Sequence, residues 1–361
     1  MSDIGVIDLA KLPPPDVVEP LDYETLVQAY YADFLTLAPG FNALLESDPA
    51  MILLQASAYR ELLLRNRINE AAKANLLAYA MGADLDQKAA GYGVTRLPDE
   101  DDDRLRYRCQ LSLEGYSTAG PIGAYCFHAL SASIKVKSVD VYSPSPGVVT
   151  VTVLSNEGDG IPRAYEACTD VNVTLDGNTA ILDGKAIKDL VVKDATGSIT
   201  YTDETDYVFD EINSLLMRTM DSAITENATL LLNYQRADVL TLVRLALNDE
   251  NTRPLTDYVN VNPALIIPYH IKADIIVYPG PSFSVVEDEG RRQLDAYVDE
   301  RNKMGGLVAL SGIYNALHTD GVKAVEIASP LADVATTHLQ APFCTHISLT
   351  TRLDENSVRE I

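Results

Sequence analysis

The sequence predicts an α+β, multidomain chain: an N-terminal long-helix region, two related α+β modules, and an inserted small all-β domain. Three observations carry that prediction. Residues 50–81 contain neither glycine nor proline, which leaves room for one long helix. The segment 136–144 recurs at 322–330 with five of nine residues identical, so a supersecondary unit is repeated. Between the copies, 164–235 breaks into short alternating runs at Asp176-Gly177, Asp183-Gly184 and Thr196-Gly197, the pattern of a small β domain.

Bulk properties narrow the function classes. At 361 residues the chain exceeds the ~100–200 of one domain, and 47% hydrophobic with 22% charged residues can bury real cores. Acids outnumber bases 52 to 28, for a formal charge of -24. Such a chain repels phosphate backbones and anionic lipid, so neither nucleic acid nor membrane is expected as a partner. The start, Met1-Ser2-Asp3-Ile4-Gly5, has no basic n-region, and no secretory signal is expected. Cys109, Cys126, Cys168 and Cys344 lack metal-ligand spacing and read as reduced thiols of a protein folded in cytoplasm.

Residues 1–20 read as an extended arm, because Pro13-Pro14-Pro15 favours polyproline II. A loose terminus is the alternative, although Val6, Ile7, Leu9 and Leu12 want a surface to lie on. Residues 21–97 form the helical region. Asp22 is placed to cap a helix from Tyr23 to Leu37, closed by Pro39-Gly40. Ser47-Asp48-Pro49 starts the next, with a capping acid before a proline at the first helical position, and Gly82 stops it after Met81. That is about 33 residues, roughly 50 Å at 1.5 Å per residue. Its apolar side chains cover more than one face, so it must be surrounded, by later domains or by other subunits. The reading favours other subunits.

The run Pro98-Asp99-Glu100-Asp101-Asp102-Asp103 is expected to be a solvated linker whose last acids cap a helix from Arg104; a calcium loop would alternate its ligands. Residues 98–163 with 236–265 make the first α+β module and 266–352 the second, followed by a tail, 353–361. Each copy of the repeat follows a short helix with a Tyr and an Ala-Leu pair. Each is followed by a strand, 148–154 or 344–350. Deleting 164–235, which carries thirteen acids and four bases, would join a strand to the helix Asp238–Leu247, so the segment reads as an insertion.

No reaction chemistry emerges, and neither catalytic residues, a cofactor nor a metal site is expected. Gly115-Tyr116-Ser117-Thr118-Ala119-Gly120 has the wrong spacing for a nucleophile elbow, and its serine follows a helix. His128, His270, His318, His338 and His346 form no zinc-spaced pair, and His128 and His318 read as packed residues. Nineteen tyrosines against six phenylalanines suit wet contact surfaces or simply core and edge positions.

Glu46-Ser47-Asp48-Pro49, Ala58-Tyr59-Arg60-Glu61, Arg67-Ile68-Asn69-Glu70-Ala71-Ala72, Leu77-Ala78-Tyr79-Ala80 and Gly82-Ala83-Asp84-Leu85-Asp86 resemble the J-like baseplate wedge proteins of contractile-tailed bacteriophages and related tail-like bacteriocins. The likeness continues through 114–120 and 143–146. It resumes at Arg253-Pro254-Leu255-Thr256-Asp257, Tyr278-Pro279-Gly280-Pro281 and Ser329-Pro330-Leu331-Ala332-Asp333, whereas 164–235 departs from the compact members. The resemblance implies a structural virion part, assembled in the host cytoplasm into the tail baseplate. It implies that two copies pair with one tail protein I-like wedge partner through the N-terminal helices. C-terminal modules would join neighbouring wedges into a ring around the hub and spike, beside the sheath-initiating proteins, and the ring would widen to trigger contraction. The expected bundle interface is Ile52, Leu54, Tyr59, Leu62, Leu63, Ile68, Leu76 and Tyr79. Gly82, Gly91 and Gly93 are hinge candidates or ordinary helix caps. Two other readings are a host-binding adhesin acting through 164–235 and a tail-borne cell-wall hydrolase.

Overall fold

The computed structural model describes residues 6–13, 15–41, 45–117, 120–278 and 282–353. Pro14, Thr118, Ala119, Pro279 to Pro281 and the tail beyond Leu353 lie outside the described residues. The chain is α+β and divides into two compact units, 5–113 and 114 onward. Residues 98–113, expected to open the first α+β module, therefore cluster with the helical unit.

In the first unit, a 3-10 turn at Leu9–Lys11 interrupts an otherwise irregular arm. The arm lies on the unit: Gln110 Nε2 donates to the Ile7 carbonyl at 2.8 Å, and the Asn69 amide pairs with both backbone groups of Glu19 at 2.8 and 3.1 Å. Helix α1 (Tyr23–Leu37) starts where Asp22 Oδ2 accepts the Thr25 N–H at 2.8 Å. Helix α2 (Pro49–Ala74) has proline in its first turn, but Asp48 makes no side-chain cap to it; its carboxylate accepts the Leu45 N–H instead.

Helix α2 stops at Ala74, short of the expected Met81. Asn75 takes the Ala71 carbonyl with its side chain at 2.9 Å, competing with the helix ladder. Arg106 then donates to the Leu77 and Ala80 carbonyls at 2.8 and 2.9 Å. A separate helix α3 (Gly82–Ala90) follows, then α4 (Asp102–Gly115), which belongs to this unit up to Leu113.

The acidic run caps α4 as expected, with Pro98, Asp99, Asp101 and Asp103 exposed, but it is not solvated throughout. Asp101 caps α4 at Arg104 N, Asp102 accepts the Gly82 N–H and pairs with Arg96, and Glu100 is 5% exposed beside Arg104 and Arg108. Because Asn69 is itself buried, Asn69→Ala should release the arm at a cost of about 1 kcal/mol per lost hydrogen bond. Limited proteolysis between Ile7 and Glu19 would read it; an unchanged cleavage rate would show that other contacts hold the arm.

The second unit begins with α5 (Ile122–Ala132), which packs on β1 (Val136–Ser145). β2 (Val148–Ser155) returns antiparallel through Gly147, with Val139 opposite Val153 and Val141 opposite Val151. Six strands of different character follow. β3 (Tyr165–Thr174), β4 (Thr179–Ile181) and β5 (Lys188–Asp194) come first, then β6 (Tyr207–Asp210), β7 (Leu215–Arg218) and β8 (Thr229–Ala237). They make two sheets, ordered β3-β8-β5 and β4-β7-β6, around Leu175, Val192, Leu216, Leu230 and Leu232. The Asp176-Gly177 and Asp183-Gly184 turns use positive φ at glycine, +64° and +115°. Helix α6 (Val239–Leu247) leads to β9 (Tyr258–Pro263), which lies parallel to β2.

β10 (Leu265–Val277) and α7 (Phe283–Arg301) come next, then β11 (Leu307–Val308), α8 (Leu310–Leu317) and β12 (Val322–Ser329). β13 (Val334–Ala335) pairs with β11, and β14 (Gln340–Leu353) closes the sheet β12-β10-β14. Ile271, Ile275, Val277, Leu294, Ile313 and Leu317 form its core.

The repeat strands β1 and β12 do occupy like places. Each lies antiparallel to a central strand that has a parallel neighbour on its far side. The sequence order differs: the central strand β2 follows β1, whereas the central strand β10 precedes β12. Residues 344–350 therefore take the place of β9, not of 148–154.

Candidate assembly surfaces

Helices α1 and α2 form a hairpin held where the Tyr30 hydroxyl donates to Glu61 Oε2 at 2.5 Å, with Arg65 on the same carboxylate. These two bonds keep the Glu61 carboxyl below its ordinary value. Of the 26 residues in α2 only Ala58 and Asn69 are buried. Ile52, Tyr59 and Leu63, spaced 7 and 4 apart, form one exposed stripe at 53, 53 and 44% exposure. Leu54 and Leu62 are half-buried. Leu53 and Leu64 were not among the expected interface residues. With Ile68 they make a second exposed stripe about 100–160° around the helix from the first, and both line a groove of about 490 Å³ beside Tyr30 and Glu61. Leu76 and Tyr79 lie beyond the helix end.

Gly82 and Gly93 bracket α3 with φ of +52° and +68°, whereas Gly91 caps α3 in right-handed geometry.

In the second unit Gly120 and Tyr125 meet the segment 253–257. The Tyr125 hydroxyl donates to Asp257 Oδ2 at 2.6 Å, and Gly120, with φ +64°, leaves room where a Cβ would meet Pro254 at 2.8 Å. This fixes a loop that presents Leu255 at 99% exposure. His128 packs with its Nε2 3.4 Å from the Gly115 carbonyl, and burial pushes its pKa down, so it is neutral at pH 7. Burial likewise raises the Cys109 thiol to about 11 and Cys126 to about 12, which makes both poor nucleophiles.

Strand β1 also makes side-chain contacts with residues 299–338, which sequence reasoning missed. The buried Asp140 meets His338 Nδ1 at 2.9 Å, Tyr142 stacks edge-on against the same imidazole, and Lys137 pairs with Asp299. The available signal was Asp140 lying between Val139 and Val141, since a charge buried among apolar neighbours needs a partner.

At the two ends of the segment 164–235, Lys135 lies 3.1–3.5 Å from Glu157, Glu166 and Asp238, and Arg236 holds Glu166 and Asp183. Lys135, Glu157, Glu166 and Asp238 border a polar cavity of about 540 Å³ that Asp159 and Arg163 also line. Burial pushes the Glu166 carboxyl up, but Arg236 and Lys135 outweigh it and hold it below the ordinary glutamate value. A depressed folded-state pKa contributes stability above the unfolded value that is lost as pH falls through the folded one. Amide exchange at β3 and β8 should therefore quicken below the ordinary glutamate range, and Glu166→Gln should remove that pH dependence. An identical profile in the variant would assign the loosening to other carboxylates.

Residues 46–100, from the turn before α2 to Glu100, match the family model described as the baseplate J-like N-terminal domain. Along 96% of this chain and 98% of the relative's length, the sequence is 34% identical to baseplate protein J of Escherichia phage P2. Identity at that level across both whole chains decides the relationship: the chain belongs to the baseplate J family.

Proposed function

We propose that this chain is a structural wedge subunit of a phage tail baseplate, assembled in the host cytoplasm and mechanical rather than catalytic. Two copies would bundle their α1–α2 hairpins with one tail protein I-like partner. The C-terminal module, 266–352, would join neighbouring wedges into a ring around the hub and spike, next to the sheath-initiating proteins. The ring would widen when triggered, with Gly82, Gly91 and Gly93 at the ends of α3 as hinge positions. In this reading 164–235 is a domain inserted into the first module, and Tyr165 opposite Ala237 brings its two ends side by side.

The supporting observation is the pair of apolar stripes on α2, exposed in a helix with two buried positions. Helix-in-groove and bundle contacts are built from such stripes. Co-expression with a tail protein I-like partner should convert an aggregating chain into a defined complex. Ile52→Asp with Leu63→Asp should abolish the complex while changing the stability of the chain alone by no more than about 0.5 kcal/mol, as for exposed sites. A well-behaved monomer that gains nothing from the partner, with amides 52–74 uniformly protected from exchange, would sink the proposal.

A further inference from the structure

The sheet β4-β7-β6 has one face on the domain core, and among the described residues its other face is open to solvent at Ile181 and Val208 and half-buried elsewhere. Directly opposed residues share a face. The row Ala180, Leu216, Phe209 turns inward, so the rows Thr179, Met217, Val208 and Ile181, Leu215, Asp210 turn outward. The outward face is therefore mostly apolar, with Ile181 at 78% and Val208 at 42% exposure. Two flanking side chains extend it, Ile212 in the β6–β7 turn at 93% and Met220 after β7 at 98%. Around this patch the chain is intensely acidic: residues 203–226 hold seven acids and one base. Asp206 and Asp210 are kept ionised by the hydrogen bonds they accept, from Thr202 and Ala223 and from Asn213. Glu204, Glu211 and Asp221 face solvent.

From this juxtaposition we infer that the β4-β7-β6 face docks a different protein of the same virion, one presenting apolar side chains ringed by lysine or arginine. Charge complementarity selects that occupant. A second copy of this chain would set acid against acid, and anionic lipid would be repelled in the same way. Side chains almost fully exposed in the free chain would make stored particles associate if they stayed bare until infection, so the cover is a tail component rather than a host receptor. The inference rests on the baseplate reading and adds to it a contact for the inserted segment.

The test uses the full chain in assembled tails. Benzoylphenylalanine is placed at Ile212 or, in a second strain, at Met220, with a control at Asn172 on β3; tails are purified, irradiated and analysed by mass spectrometry. An adduct to a different tail protein, next to Lys or Arg residues and absent from the control, is expected. Adding Ile181→Asp with Val208→Asp, both at exposed positions, should lower its yield about tenfold or more, equivalent to some 1.4 kcal/mol of contact energy. No adduct from either probe, an adduct to a second copy, to lipid or to an acidic segment, or a yield unmoved by the aspartates overturns the assignment while leaving the baseplate reading intact. Absence of the unmodified chain from purified tails overturns the baseplate reading itself.

Discussion

Glu100→Ala is expected to destabilise the N-terminal unit by about 3–5 kcal/mol, the range for removing one partner of a buried ion pair. The Glu100 carboxylate is fully buried: Oε2 lies 2.6 Å from Arg108 Nη1 and accepts the Leu97 N–H at 2.9 Å, and Oε1 lies 3.3 Å from Arg104 Nε. Arg108 is only 4% exposed, and burial already pushes the Arg104 guanidinium below its ordinary pKa. A guanidinium does not shed its proton at neutral pH. Removing the carboxylate therefore leaves two low-exposure cations facing each other, a larger penalty than the lost bonds. Glu100→Gln keeps an acceptor for Leu97 and should cost less. Amide exchange across α4 in the full chain measures the local loss without assuming that both units unfold together. A loss under about 1 kcal/mol would place this pair in the range of ordinary surface salt bridges.

The same glutamate marks where sequence reasoning stops. Six residues dominated by acids read as a solvated break because composition says nothing of partners, and Arg104 and Arg108 belong to the helix that follows. Signals confined to neighbouring residues were legible: the Asp22 cap, the proline opening α2 and the Asp-Gly turns. The end of α2 was not, because Arg106 takes up the Leu77 and Ala80 carbonyls from 26–29 residues away. Nor was the place of β14, since a repeated sequence fixes which strand is alike but not whether its central partner comes before or after it. Apolar patterning on α2 included Ile52, Tyr59, Leu63 and Ile68, which are exposed. It could not separate Leu54 and Leu62, which are half-buried, from Leu53 and Leu64, which are exposed, because apolar residues lie on every side of that helix.

Gly312→Ala is expected to destabilise the C-terminal module by about 2–4 kcal/mol, although alanine is the better helix former. Gly312 lies inside α8, where helix propensity alone would favour alanine by about 1 kcal/mol. Packing opposes that gain. A Cβ at 312 would sit 2.2 Å from the Tyr297 hydroxyl oxygen and 2.3 Å from its ring carbon Cζ. The ring cannot swing aside freely: its hydroxyl donates to the Ala309 carbonyl at 3.2 Å and accepts the Ala309 N–H at 3.0 Å, which ties α7 to the start of α8. Arg301 lies over the ring as well, 5.3 Å from its centroid. Overpacking costs about 1–3 kcal/mol, and two lost hydrogen bonds add about 1 kcal/mol each, so the sum exceeds the propensity gain. The cause can be isolated by a double-mutant cycle. With Tyr297→Ala the obstructing ring is gone, and Gly312→Ala should then be neutral or stabilising by up to about 1 kcal/mol. Amide exchange across α8 in the four proteins measures the coupling. Equal effects of Gly312→Ala in both backgrounds would mean that α7 and α8 move apart without cost, and that the close approach at Gly312 does not fix their packing.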